Sequence, residues 1–237
     1  MMKLEDYGRR LALAAGYLGR SIGINPEPFM DRVNVIRGMI HGDKLLANLL
    51  HGVHLPFALP QMDIGNYGTA AEEFLPAVGK AYRNHFAGRR FSSALQGKLA
   101  EQMVPLECSW ITVLLAKMVF GPVVGLYFPV SLQGYSPLAC IEQLSPEFLD
   151  RAQSSLEMPP PFFPGGVQLA GVLETAMALI MYPDVLARDG QTPRLLCPAV
   201  TWQGYLPCFR AYDDELVFDA GVGNEGGGYS GGLVVLG

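Results

Sequence analysis

The sequence predicts an α+β fold: an N-terminal helical half packed on a C-terminal, largely antiparallel sheet, with one buried helix. Three observations predict it. Apolar residues recur at three- and four-residue steps through most of 1–103. Residues 104–141 form a long apolar run rich in β-branched and aromatic side chains. From Pro193 onward, strand-length segments alternate with Gly and Asp turns. On this reading a helical region, 1–103, and an α+β region, 104–237, form one compact body.

The first helix is predicted over residues 3–22. Leu4, Tyr7, Leu11, Ala14, Ala15, Leu18 and Ile22 share a face, and Gly23 and Pro26 end the helix. A second helix starts after Asn25, with Pro26 and Pro28 in its first turn and Phe29, Val33, Ile36 and Ile40 on one face. Asp43 can cap a third helix reaching Leu50. Pro56 and Pro60 then force an extended connection. Thr69 and Glu72 have capping-box spacing for a helix to about Phe86, with Pro76 inside it. A further helix is expected over about 91–103, ending before Pro105.

The run 104–141 carries only two charges, Glu107 and Lys117. A membrane span through 109–131 has sufficient length. Against it stand Lys117, which costs about 3 kcal/mol at a span centre, the Gly121-Pro122 break and Pro129. A single buried helix would lose a backbone donor at Pro122. Two strands cornered at Phe120-Gly121-Pro122 fit best, because a continuous apolar run suits a strand covered on both faces.

Ser145 and Pro146 open a short helix to about Ser155. The prolines of 158–166, with Phe162 and Phe163, read as a stiff extended connector. Residues 167–182 should form a nearly fully buried helix in which Glu174 is the single charge, stopped by Pro183. Residues 194–201 and 205–212 flank Trp202-Gln203-Gly204 as a hairpin. Asp213-Asp214 makes a second turn before the strand 216–220. A glycine-rich stretch precedes a last short strand at 233–236. Cys197 and Cys208 flank the hairpin nearly symmetrically, so a disulfide is geometrically possible in that register.

Composition limits function. Charged residues make up 16% of the chain, against about 25% in ordinary soluble domains. A thinly charged surface suits cover by a partner or by further copies of the same chain. The net charge of −5, with no basic cluster beyond Arg89-Arg90, argues against nucleic acid as a partner. The first ten residues lack the apolar core of a secretory signal, and Cys108, Cys140, Cys197 and Cys208 include no CxxC pair. A cytoplasmic location with reduced thiols is the resulting expectation.

Several motifs invite chemistry. Gly221-Val222-Gly223-Asn224-Glu225-Gly226 matches GxGxxG, but too little chain follows for a dinucleotide-binding unit, and no cofactor is expected. Gly228-Tyr229-Ser230-Gly231-Gly232 matches GxSxG, a pattern whose serine is a nucleophile when a helix follows and an Asp and a His lie later. Ser230-Gly231-Gly232-Leu233-Val234 also resembles the nucleophile segment of trypsin-like serine proteases over about five residues. Tyr229 stands where that family has aspartate. Asp213, Asp214, Glu215 and Asp219 form the densest carboxylate group, without EF-hand spacing. His41, Asp43, His51 and His54 are the best metal-ligating candidates, since imidazole suits zinc, copper, iron or nickel.

The first functional expectation is therefore a non-enzymatic interaction or structural subunit, self-associating or bound to a protein partner. The alternative is a hydrolytic or metal-assisted enzyme built around His41, Asp43, His51 and His54. A membrane-associated protein using 109–131 is the third reading.

Overall fold

The computed structural model describes residues 3–42, 53–62, 66–105, 123–129, 166–189, 191–192, 194–221 and 229–236. The predicted third helix, the Phe120-Gly121-Pro122 corner, the 145–155 helix and nearly all of the proline-rich connector lie outside them.

The α+β architecture is present, with helices concentrated in the N-terminal half and a mixed, mostly antiparallel sheet in the C-terminal half. Helix α1 runs Leu4–Leu18 and buries Tyr7, Leu11 and Ala14. It stops four residues earlier than the periodicity suggests. Gly19 adopts φ 67° and its N–H returns to the Ala15 carbonyl, a left-handed cap that a glycine supplies without steric cost. Ile22 is buried all the same, outside the helix. Helix α2, Pro26–Gly42, begins where expected. The Asn25 Oδ1 accepts from the Glu27 N–H at 3.3 Å.

The extended connection at Pro56 is a strand, β1 (Leu55–Leu59), and it is buried at every position. Helix α3 (Tyr67–His85) is capped by Asn66 rather than Thr69: Asn66 Oδ1 accepts from the Thr69 N–H at 3.0 Å. Glu72 is spent elsewhere, accepting from the Leu99 N–H at 2.8 Å. Pro76 lies within α3, which continues past it to His85.

The helix expected over 91–103 is replaced by strand β2 (Arg90–Ser93), a turn, the one-turn helix α4 (Leu99–Gln102) and strand β3 (Met103–Pro105). The apolar spacing there was too short and too interrupted by Gly97 to hold a helix against pairing with the sheet.

Strand β4 (Val123–Pro129) is the main described part of the long apolar run, whose first two residues end β3. Leu126, Tyr127 and Phe128 are wholly buried, so both faces are covered, as a continuous apolar strand requires. Residues 166–169 form strand β5 (Gly166–Leu169), and helix α5 starts later than expected, at Val172–Met181. Pro183 opens a further one-turn helix, α6 (Pro183–Leu186). The chain then forms β6 (Arg194–Leu196), β7 (Val200–Trp202), β8 (Leu206–Tyr212), β9 (Glu215–Gly221) and β10 (Tyr229–Leu236).

The main sheet runs β1-β4-β10-β6-β8-β9-β2, with β5 also paired to β10. β10 is the pivot. Its first residues run parallel to β6, and its later ones run antiparallel to both β4 and β5. β1 and β2, from the first hundred residues, hold the two ends of the sheet. β3 and β7 form a separate two-stranded ribbon. The 194–212 hairpin is tighter than anticipated. Trp202 belongs to β7, and only Gln203 (φ 50°) and Gly204 (φ 81°) turn, between reciprocal Trp202–Tyr205 backbone bonds. Asp213 and Asp214, at φ 49° and 62°, make the turn into β9.

The register separates the two described cysteines. Leu196 faces Cys208 across β6 and β8, and the Cys197 N–H bonds the Pro207 carbonyl. The one-residue offset sends the thiols to opposite faces, Cys197 into the main core and Cys208 into a small cluster with Leu196 and Leu206. Both are free thiols, so the symmetric register that a disulfide needed is not the one formed.

Helix α5 lies against the sheet, packing on β1 and β4, and α3 and α1 pack over it from the other side. Removing packing from this interior should be costly. Leu126→Ala is expected to lower unfolding free energy by about 3 kcal/mol, whereas Leu13→Ala, on the exposed side of α1, should stay within about 0.5 kcal/mol. Urea titrations of both variants check the contrast.

Candidate functional site

Two clusters of polar side chains stand out. The first lines a groove of about 310 Å³ where α1 and the C-terminal ends of α3 and α5 meet α6. Arg9, Arg10, Leu13 and Tyr17 enter from one stripe of α1. Asn84 and His85 come from α3, and Asp184 comes from α6.

Arg10 organises the floor of the groove. Its guanidinium makes a two-pronged pair with Asp184, Nη1 to Oδ1 at 2.8 Å and Nη2 to Oδ2 at 2.9 Å. Nη1 also donates to the Met181 carbonyl at 2.7 Å, Nε donates to Asp6 at 3.2 Å, and the plane lies 4.7 Å over the Tyr182 ring. It thus caps the carbonyl end of α5, where a cation is favoured. Partial burial alone would raise the Asp184 carboxyl, but the Arg10 pair overrides it and holds the group below its ordinary range. At the rim, Arg9 pairs with Asp6, and Asn84 donates to the Tyr17 hydroxyl at 3.2 Å.

The second cluster lies in the dry interior. Glu174 is 1% exposed and Thr175 0%; they are the buried polar residues among those described. Glu174 sits three residues after Gly171, the N-cap of α5, and its Oε2 accepts from the Gly171 N–H at 2.7 Å. This is one half of a capping box; a glycine has no side chain to return the bond. The Tyr67 hydroxyl of α3 accepts from the next free amide, Leu173 N–H, at 3.3 Å. Tyr127 of β4 and Cys197 border Thr175. Glu174 Oε1, Thr175 Oγ1 and Tyr127 Oη find no hydrogen-bond partner among the described residues. Burial pushes the Glu174 carboxyl up to about 7, and burial raises the Tyr67 hydroxyl too, with the Glu174 charge adding to it.

The sequence candidates lie only in part among the described residues. His41 is in the last turn of α2 and its side chain lies outside the described residues, as do Asp43 and His51. His54 precedes β1, with its ring edge-on to Phe128 at 4.8 Å. Among the described residues, no three His, Cys, Asp or Glu side chains group together in a way that could hold a metal ion. Ser230 lies inside β10 opposite Leu195, with more strand after it, rather than at a strand-to-helix elbow. Gly221 ends β9, residues 222–228 lie outside the described residues, and the next described element is strand β10, where a dinucleotide fold places a helix after its glycines. Asp219 of the carboxylate group is paired with Arg210 at 2.7 Å and accepts from Cys208 Sγ at 3.0 Å. No described helix is long and apolar enough to cross a membrane.

Sequence reasoning noticed Glu174 as the lone charge of an apolar helix but not its role. The available signal was its spacing, three residues after a glycine at a helix start. The Arg10–Asp184 pair, 174 residues apart, had no local signal.

No protein-family model, curated protein or solved structure matches this chain.

Gly171 is required by space, not by its backbone angles. A Cβ there would stand 2.4 Å from the Tyr67 hydroxyl and 2.8 Å from Glu174 Oε2. Gly171→Ala should therefore cost about 1–3 kcal/mol, and adding Tyr67→Phe should recover part of it. A double-mutant cycle by urea denaturation reads the coupling.

Proposed function

We propose that the protein is a non-enzymatic interaction or structural subunit that associates with further copies of itself through the α1–α3–α6 groove. The observation that carries this reading is the groove's lining. Leu13 is 49% exposed at its rim, beside Tyr17, in a chain whose charged fraction is only 16%. Both signs of charge border it: Arg9, Arg10 and His85 against Asp6 and Asp184.

A two-fold contact places the same patch on both partners, so the patch must complement itself. An aliphatic rim flanked by opposite charges meets that need, since a cation of one copy can face a carboxylate of the other. Arg9 is held by Asp6 and Arg10 by Asp184, so both signs of charge are presented in fixed positions beside the apolar rim.

Light scattering coupled to size-exclusion chromatography tests the reading. The mass should rise with concentration above one chain, and Leu13→Arg should return it to one chain while leaving the far-ultraviolet circular dichroism unchanged. A single-chain mass at every concentration, identical in the parent and Leu13→Arg, would overturn it.

A further inference from the structure

The carboxyl of Glu174 is held in an unusual place. It is the single charge-bearing side chain of α5, and it lies in the dry interior beside Gly171 and Tyr67 rather than at the rim. One oxygen ties down the Gly171 amide at the helix start, and the other has no described partner. The titratable groups that face it are Tyr67 from α3, Tyr127 from β4 and Cys197 after β6. All three are neutral in ordinary conditions, because burial raises each of them, and Thr175 beside it does not titrate. No described cation forms an ion pair with it.

We propose that protonation of Glu174 is a built-in switch for the seating of α5. The neutral carboxyl lets the N-terminal end of the helix stay closed between Tyr67 and Tyr127, and the carboxylate forces that end open to water. The physical reason is desolvation. An unpaired carboxylate in a dry interior is so costly that the site must take up a proton or admit solvent. A protonated carboxyl also carries a donor instead of a full charge, so the site no longer has to bury an unpaired anion.

The direction of the pH effect follows. The folded chain holds this proton more tightly than the unfolded chain, where the group titrates near 4.5. The stabilisation is full below 4.5 and is lost as pH rises toward about 7. Asp6 and Asp184, held low by their arginines, act in the opposite sense and only at more acid pH.

The experiment compares urea unfolding of the full chain and of Glu174→Gln across this range. Gln keeps an oxygen for the Gly171 amide and a donor for its neighbours, but cannot ionise. The unfolding constant of the parent relative to the variant should rise by up to about 300-fold, since ten raised to the difference between 7 and 4.5 is of that order. Parallel pH profiles for the two proteins would overturn the proposal. A second measurement needs no variant. The near-ultraviolet circular dichroism of the folded parent, which reports the tyrosine environments, should change with a single midpoint near neutrality. A flat signal from acid to mildly alkaline pH would overturn it equally.

Discussion

Helix α5 has no solvent face. Every residue from Val172 to Met181 is buried, so the sheet on one side and α3 with α1 on the other are both required for the helix to exist at all. A helix apolar all round gains nothing from water and is stable only when surrounded. Its ends show how the surroundings are fixed. At the start, Glu174 and Tyr67 satisfy the Gly171 and Leu173 amides. At the finish, Arg10 takes the Met181 carbonyl, and the Tyr182 hydroxyl donates to the Pro56 carbonyl of β1 at 2.6 Å. Tyr67 of α3, Arg10 of α1 and the Pro56 carbonyl of β1 each meet one end of the helix, so it fastens α1, α3 and β1 to one another.

The sheet beneath depends on β10 in a similar way. It lies between β4 on one side and β6 and β5 on the other, so it joins the β1-β4 pair to the β6-β8-β9-β2 part of the main sheet. Most of its pairings join residues far apart in sequence, which makes the sheet slow to close and cooperative once closed. The two clusters of interest sit at opposite ends of α5. The exposed groove borders its carbonyl end and offers surface for association. The dry cluster lies at its amide end and gives the interior a titratable group. A contact that tightens α1 and α6 around the helix would bear on both ends, because α5 is the rigid element they share.

How much of this could be read from the chain depends on whether the deciding contact is local. The start of α2, the turns at Gln203-Gly204 and Asp213-Asp214 and the burial of β4 follow from residues within a few positions of each other. The failures have long-range causes. β2 reads as helix until β9 offers it a parallel ladder. Leu55 to Leu59 reads as a connector because Pro56 lies within it and Pro60 follows it, yet it pairs with β4 from the sheet's edge, where a proline is tolerated. Residues 166–169 continue the apolar pattern of α5 but are drawn into β10's ladder instead. Glu72 looks like a partner for Thr69, yet it meets an amide 27 residues away. In the candidate site the same rule holds. The Glu174 cap was three residues from its partner and could have been found, whereas Tyr67, Tyr127 and Cys197 arrive from three separate elements.

The central claim is that α5 and β4 form one dry, mutually dependent interior. Native-state hydrogen exchange at about pH 5, where Glu174 holds its proton, tests it directly. The account requires the amides of Ala176 to Met181 and of Leu126 to Phe128 to exchange only through global unfolding, with the same free energy and the same urea dependence. If the helix amides instead exchange through a local opening, insensitive to urea, while β4 stays protected, then α5 is a loosely held cover, and the account is wrong at its base.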